Sequence, residues 1–128
     1  MNPASLALIL SGVFLNAVAQ LLLKAGVNNV TAELGAFAYS SANIVPVGVK
    51  LATQWPIIAG LACYVISVVV WILGLSRVDV SIAYPMLSLG YVLNALGAWW
   101  LFGEVLSAQR MIGIGIIIVG VYVLARSA

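Results

Sequence analysis

The sequence carries very little charge. Only 6% of its residues are charged, against roughly 25% in an ordinary soluble domain. Hydrophobic residues make up 65% of the 128 positions, and the mean hydropathy is +1.23. This composition predicts an integral membrane protein and leaves no room for a soluble domain. The net charge of +2 is too small to suggest nucleic-acid binding.

Histidine is absent, and cysteine occurs once. The chain therefore lacks the commonest metal ligand and the commonest catalytic base, and Cys63 has no second thiol for an intrachain disulfide. The sequence contains no nucleophile beside a base, no cluster of metal ligands and no glycine loop before a helix. We expect neither an enzyme nor a cofactor or metal. A signal-peptide pattern is also missing at the amino terminus, so the first helix is expected to stay in the mature protein.

Acidic residues are missing from the middle of every apolar stretch, since Glu33, Asp79 and Glu104 lie in polar breaks. An exporter that trades protons for a cation usually needs a buried carboxylate that holds either one. The pattern therefore argues against proton-coupled export of cations. Asn16, the strongly polar residue near the centre of the first stretch, has two interpretations that stay open: a hydrogen bond between helices, or a direct role in translocation.

Four stretches are long enough to cross a bilayer, which takes about 20 apolar residues. Gly26 is expected to end the first helix and Ser107 to cap the last. The predicted fold is an all-α bundle of four transmembrane helices in a single domain, residues 1–128. The predicted helices cover residues 3–25, 55–75, 80–101 and 108–125.

The segment of residues 31–52 between the first two helices is too polar and broken to span. Thr31 and Glu33 are expected to open a short helix there. Apolar pairs alternate with polar residues, and Lys50 and Trp55 are suited to headgroup depth. We therefore predict an interfacial helix within this segment.

The third apolar stretch contains most of the polar residues that interrupt the apolar sequence of the chain. Tyr84, Ser88 and Tyr91 fall at i, i+4 and i+7, on one helix face. Pro85 removes a backbone donor, so a bend is expected beside them. The three side chains either line a cavity or pack between helices, and the proline favours the cavity.

The first helix has its own polar stripe. Gly12, Asn16, Gln20 and Lys24 recur at every fourth position, so they share one slowly drifting face. Because polar side chains are costly against lipid, this stripe is expected to face the protein or a wet cavity.

Alternation of four spans places several polar residues at one membrane face. One interpretation is a charge pair of Lys24 with Glu104 at the mouth of the bundle, which would leave Arg110 free to attract an anion. By position alone the sequence favours the other interpretation, in which Lys24 reaches to the headgroups and the other two residues belong to a solvated turn. This face holds three Lys and Arg residues and the other holds two, which is too weak a bias to orient the protein. The polar set at this face is Gln20, Lys24, Asn94, Glu104 and Arg110.

Three segments together resemble the four-helix proteins of the drug/metabolite transporter superfamily, which include the small multidrug resistance proteins. Within it, the closest likeness is to the small subunits of the aminoarabinose-phosphoundecaprenol flippase. Small multidrug resistance proteins carry a glutamate eight residues before the first-helix lysine, where this chain has Asn16. The segments are Ala19-Gln-Leu-Leu-Leu-Lys24, Ile82-Ala-Tyr-Pro-Met-Leu-Ser-Leu89 and Leu101-Phe-Gly-Glu104 with the later Gly113 and Gly120.

The resemblance implies a multi-pass protein of the bacterial inner membrane that moves a polyprenyl-phosphate-linked sugar between leaflets. Its partners would be this glycolipid, membrane lipids and a second subunit, in a homodimer or a heterodimer with a similar small chain. Two alternatives stay open: an exporter of small cationic molecules, and a non-transporting subunit that supports a partner. The residues expected to bind or translocate the substrate are Asn16, Gln20, Lys24, Tyr84, Ser88, Tyr91, Asn94, Glu104 and Arg110.

Overall fold

The computed structural model describes residues 2–35 and 43–127, and within these ranges every regular element is helical. Four helical stretches are long and apolar enough to cross a membrane, with α4 and α5 together forming one of them. The predicted all-α fold with four membrane helices is therefore confirmed. The elements are α1 (Pro3–Leu34), α2 (Ile44–Ala52), α3 (Trp55–Leu75), α4 (Val80–Met86), α5 (Ser88–Phe102) and α6 (Ala108–Arg126).

Helix α1 is longer than the sequence predicted. It passes Gly26 and ends at Leu34, where Gly35 adopts a φ of 86°. Gly26 is buried, and a Cβ added to it would lie 2.4 Å from Cγ1 of Ile57. The glycine thus allows α3 to approach closely, and its helix-weakening effect of about 1 kcal/mol is offset by packing. The predicted helix end at this residue is wrong.

Helix α2 forms the short element between the first two spans. Thr31 and Glu33, which were expected to open this short helix, belong instead to the end of α1, and residues 36–42 of the predicted segment lie outside the described residues. Nζ of Lys50 lies 2.9 Å from Oε2 of Glu33 and so ties α2 to α1. A two-residue link then leads to the exposed Trp55 at the start of α3. The interfacial position of α2 stays a prediction from the sequence.

Helices α1 and α3 pack against each other as an antiparallel pair. A Cβ added to Gly60 would lie 3.1 Å from the carbonyl oxygen of Ala19, and one added to Gly74 would lie 2.6 Å from Cδ1 of Ile9. Small residues at such contacts allow backbones to approach closely in membrane helices. This pair is the frame on which the other helices rest.

The third span is interrupted at Leu87, two residues after Pro85. Proline has no N–H to donate to the preceding turn, and the chain continues through tighter bonds: the N–H of Leu87 donates to Tyr84 and that of Gly90 to Leu87, at 3.0 and 2.8 Å. The expected bend is therefore present as a break between α4 and α5.

Helix α5 runs parallel to α1, since Gly90 lies beside Val13 and Gly97 lies beside Leu21. Helix α6 returns in the opposite direction. Its amino terminus is capped as predicted, because Oγ of Ser107 accepts from the N–H of Arg110 at 3.2 Å. Among its described residues only Val121 is buried, and this side chain joins a core of Ile9, Val13, Ala83 and Met86.

Candidate functional site

The polar stripe of α1 lines three adjoining cavities. The innermost has a volume of 260 Å³ and lies among α1, α3 and α4. Asn16 and Gly12 contribute the α1 side of this cavity, and Tyr84 contributes the α4 side. Asn16 is half-buried. Its amide therefore faces space inside the protein, as expected for a polar group at this depth.

The middle cavity lies between α1 and α5 and has a volume of 350 Å³. Asn16 and Gln20 line it from α1, while Tyr91 and Asn94 line it from α5. Asn16 belongs to both this cavity and the innermost one. The two spaces are therefore continuous along α1.

The third cavity, with a volume of 280 Å³, lies between α1 and the carboxy-terminal half of α5, and the turn after α5 closes its end. Gln20 and Asn94 join it to the middle cavity, and Lys24 and Glu104 stand at its outer end. Because Asn16 and Lys24 are eight residues apart on one helix, the distance along the axis is about 12 Å. We call this continuous space the polar groove, lined by Asn16, Gln20, Lys24, Tyr84, Tyr91, Asn94 and Glu104.

One side of the polar groove is open. Tyr84 and Tyr91 are 62% and 61% exposed, and Gln20 is exposed as well. A molecule in the groove would therefore contact polar side chains on one side and the surrounding lipid on the other.

Asn94 contains the most constrained polar atom of the groove. Its Oδ1 is buried and accepts no hydrogen bond from any described residue. A buried carbonyl oxygen without a donor costs about 1–3 kcal/mol, and buried polar atoms in native proteins nearly always have a partner in the protein or in ordered water. Asn94 thus marks the place where a bound donor would gain most.

A glycine turn positions Glu104 at the mouth of the groove. Gly103 adopts φ 67° and ψ 22°, the left-handed region that favours glycine, and the N–H of Glu104 donates back to the carbonyl of Ala98 at 3.3 Å. Glu104 and Lys24 form no charge pair, in line with the interpretation that the sequence favoured. Within residues 2–35 and 43–127, Lys50 and Glu33 form the one ion pair.

Arg110 does not share the groove with Lys24. It lines a separate 370 Å³ cavity between α5 and α6, which meets the groove at Glu104. Nη1 of Arg110 donates to the carbonyl of Val105 at 2.6 Å. The guanidinium is therefore held against the α5–α6 turn, on the other side of Glu104 from Lys24.

Ser88 is positioned differently from the two tyrosines with which the sequence grouped it. Its hydroxyl donates to the carbonyl of Pro85, a carbonyl close to the break in the third span. The hydroxyl proton of Ser88 is therefore bonded to a carbonyl of the same membrane span. Ser88 therefore supports the bend, and Tyr84 and Tyr91 line the groove.

Three groove residues of α3 were not predicted from the sequence. Tyr64, Ser67 and Trp71 line the innermost cavity opposite Asn16. Their i, i+3, i+7 spacing places them on one helix face, so the pattern was present. In a stretch as apolar as α3, however, the same spacing is equally typical of residues that pack between helices.

The groove offers amides, phenols, one ammonium and one carboxylate, which together suit hydrogen bonding and ion pairing with a polar headgroup. Among the residues that the structure describes, no group of three or more Cys, Asp or Glu side chains could hold a metal ion. Fold and groove define a multi-pass α-helical membrane protein with a polar path beside lipid. This is the architecture of a transporter.

A comparison with known protein families identifies the transporter family to which the chain belongs. Residues 34–126 match the EamA-like transporter family, and the chain belongs to this family. The match and the four apolar helices establish a multi-pass protein of the bacterial inner membrane. No solved structure matches the chain.

Curated relatives agree with the resemblance noted in the sequence. The chain is 44% identical over 78 residues to the probable 4-amino-4-deoxy-L-arabinose-phosphoundecaprenol flippase subunit ArnE of Pseudomonas savastanoi pv. phaseolicola, covering 61% of this chain and 68% of that protein. The ArnE subunit of Pseudomonas aeruginosa strain UCBPP-PA14 is 40% identical over 79 residues, covering 62% and 68%. An ArnF subunit of Shewanella sediminis is 46% identical over 71 residues, covering 53% and 49%.

Proposed function

We propose that this chain is a subunit of an inner-membrane flippase that moves a polyprenyl-phosphate-linked amino sugar between leaflets. The relatives named as flippase subunits support the substrate class. The observation that carries the proposal is the polar groove itself, with the unpaired Oδ1 of Asn94 inside it. In this proposal the chain moves its substrate without making or breaking a covalent bond.

The headgroup travels along the groove while the prenyl chain stays in lipid. Moving a sugar phosphate through the hydrocarbon core without partners costs several kcal/mol for each polar group. Asn16, Gln20 and Asn94 offer amide hydrogen bonds at successive depths. The exposed rings of Tyr84 and Tyr91 leave the open side through which the lipid chain extends. The groove opens alternately to the two membrane faces.

Lys24 receives the phosphate at the mouth. It is the lysine of the polar groove and lies in the same cavity as Asn94 and Gln20. Lys24 is exposed, so its ammonium is free to meet the phosphate of a lipid that enters from this face. Arg110, on the far side of Glu104, attracts the anionic lipid to the same face.

The working unit is a pair of small chains. The relatives are named as subunits, and one four-helix chain encloses its groove on one side only. On α6, Gly113 and Gly120 share one face and Gly115 lies on another, and at each of the three no described atom outside the helix backbone lies within 4 Å of an added Cβ. Small residues of this kind favour close helix contact. Either a second copy or a similar small chain fits this description.

The test is a liposome assay with purified chain that follows the leaflet exposure of an aminoarabinose-phosphoundecaprenol. We expect protein-dependent flipping, and a loss of at least about tenfold in Lys24→Ala, since one charge-assisted contact is worth about 1.5–3 kcal/mol. Lys50→Ala is the matched control, because Lys50 belongs to the same membrane face but pairs with Glu33. Equal rates in wild type and Lys24→Ala would leave Lys24 as an anchor only.

Two other results would redirect the proposal. Flipping only when a second small chain is added would make this chain an obligate subunit. Substrate-induced proton release with cationic compounds, together with no movement of the glycolipid, would contradict the flippase and favour a cation exporter.

A further inference from the structure

The mouth of the polar groove holds two opposite charges that do not pair. Lys24 and Glu104 line one 280 Å³ cavity, yet they form no ion pair with each other, in contrast to Lys50 and Glu33 at the same end of the molecule, 2.9 Å apart. Both side chains are exposed enough to meet a ligand.

The two charged residues belong to different elements of the fold. Lys24 belongs to α1, whose position is set by the close α1–α3 contacts. Glu104 follows the left-handed Gly103, and its own N–H is bound to Ala98. Arg110 does not neutralise this carboxylate by an ion pair either, and its guanidinium donates to the Val105 carbonyl instead. The cavity therefore has one positive and one negative pole at defined places.

A ligand with a single charge would suit this cavity poorly. An anion attracted by Lys24 would be repelled by Glu104, and a cation would meet the reverse problem. A ligand that carries both charges satisfies both poles, and this arrangement discriminates against singly charged competitors. Between the poles, Gln20 and the buried Oδ1 of Asn94 offer hydrogen bonds for hydroxyl groups.

We propose that the mouth is a recognition site for a zwitterionic sugar phosphate, in which Lys24 binds the phosphate and Glu104 selects for the amino group. The inference rests on the proposed function, since the lipid named for the relatives carries an amino group and a phosphate. It adds a specificity-determining residue: Glu104 distinguishes the amino sugar from the corresponding neutral sugar.

The direct test measures binding to the full-length chain in detergent by calorimetry. The probes are 4-amino-4-deoxy-L-arabinose 1-phosphate and L-arabinose 1-phosphate, which differ in the amino group. We expect the amino sugar phosphate to bind about tenfold more tightly, the gain typical of a charge-assisted hydrogen bond. Glu104→Gln should abolish this preference and should bind L-arabinose 1-phosphate more tightly than the wild type does, because the carboxylate that repels the phosphate is gone, while Lys24→Gln should weaken both. Glu33→Gln, which removes an acid at the same end but outside the groove, should keep the preference.

The inference is overturned by equal binding of the two probes, by no binding of either, or by a Glu104→Gln protein that loses both equally. A flipping assay with the prenylated forms of the two sugars separates this failure from that of the proposed function. Equal flipping of both lipids would support the flippase and overturn the role of Glu104. Selective binding without flipping of either lipid would support the recognition site and contradict transport by this chain alone.

Discussion

The contact between α1 and α3 differs sharply from the surroundings of α6. At the α1–α3 contact, a Cβ added to Gly60 would lie 3.1 Å from the carbonyl oxygen of Ala19 and 3.2 Å from Cβ of Leu22. On α6, a Cβ added to Gly115 would have no described atom beyond the helix backbone within 4 Å. Both helices contain small residues in apolar stretches, but only the first set is used inside the chain.

The difference separates the closely packed α1–α3 pair, which we call the frame, from the exposed side of α6, which we call the free face. Helices α1 and α3 hold the polar groove in place through contacts that leave no room for a larger side chain. Helix α6 is attached through Val121 near one end and through the turn after α5 near the other. Its remaining face is available to lipid or to a second chain. A partner that docks here would act on the α5–α6 cavity, which meets the groove at Glu104.

The largest expected effect tests the frame directly. Gly60→Leu should lower the free energy of unfolding by about 2–3 kcal/mol, because the added atoms would overlap backbone and Cβ atoms that have no room to move. Titration of the purified protein with a denaturing detergent measures this change. Gly115→Leu is the matched control and should leave stability unchanged or raise it by up to about 1 kcal/mol, because leucine is the better helix former and has room there. Equal losses in the two variants would remove the distinction between frame and free face.

A smaller effect is expected at the turn that joins the two regions. Gly103→Ala should cost about 1–2 kcal/mol, since φ of 67° brings Cβ too close to the backbone. Gly113→Ala, inside α6, should be neutral or slightly stabilising, because alanine is the better helix former. The same unfolding titration compares them. A stable Gly103→Ala protein would contradict the left-handed turn that positions Glu104.

The smallest effect concerns the link between α2 and the frame. Lys50→Gln should cost at most about 0.5 kcal/mol, because both side chains of the Lys50–Glu33 pair are about half exposed and water screens them. A double-mutant cycle with Glu33→Gln measures the pair alone. The coupling should decrease further at high salt. A coupling above about 2 kcal/mol would place α2 within the frame instead of on its surface.

Much of the architecture follows from local pattern. The second and fourth membrane helices were placed within one residue of their observed ends, because Pro56 and Ser107 mark helix starts by chemistry that needs no tertiary contact. The end of α1 was misplaced for the opposite reason. In the sequence, Gly26 is typical of a residue that ends a helix. Only its contact with the side chain of Ile57 shows that this glycine serves close packing of two helices.

The site was predictable in part. The spacing of Asn16, Gln20 and Lys24 is a local property, so their common face was expected. The sequence did not show which helices would lie opposite that face. Tyr64 and Trp71 of α3 were therefore not predicted as lining residues. The sequence left open whether Lys24 and Glu104 would pair, because helix ends show which residues share a membrane face but not the distance between their side chains.

The sequence by itself determined a four-span membrane protein with a polar stripe on α1 and a break in the third span, because hydropathy, helical periodicity and proline geometry are local. Only the tertiary structure decided that the stripe opens into a continuous groove, that Lys24 and Glu104 stay apart and that α6 keeps a free face. These features depend on how closely helices approach one another. That distance is set by the side chains of two helices at once, which the pattern of a single helix does not contain.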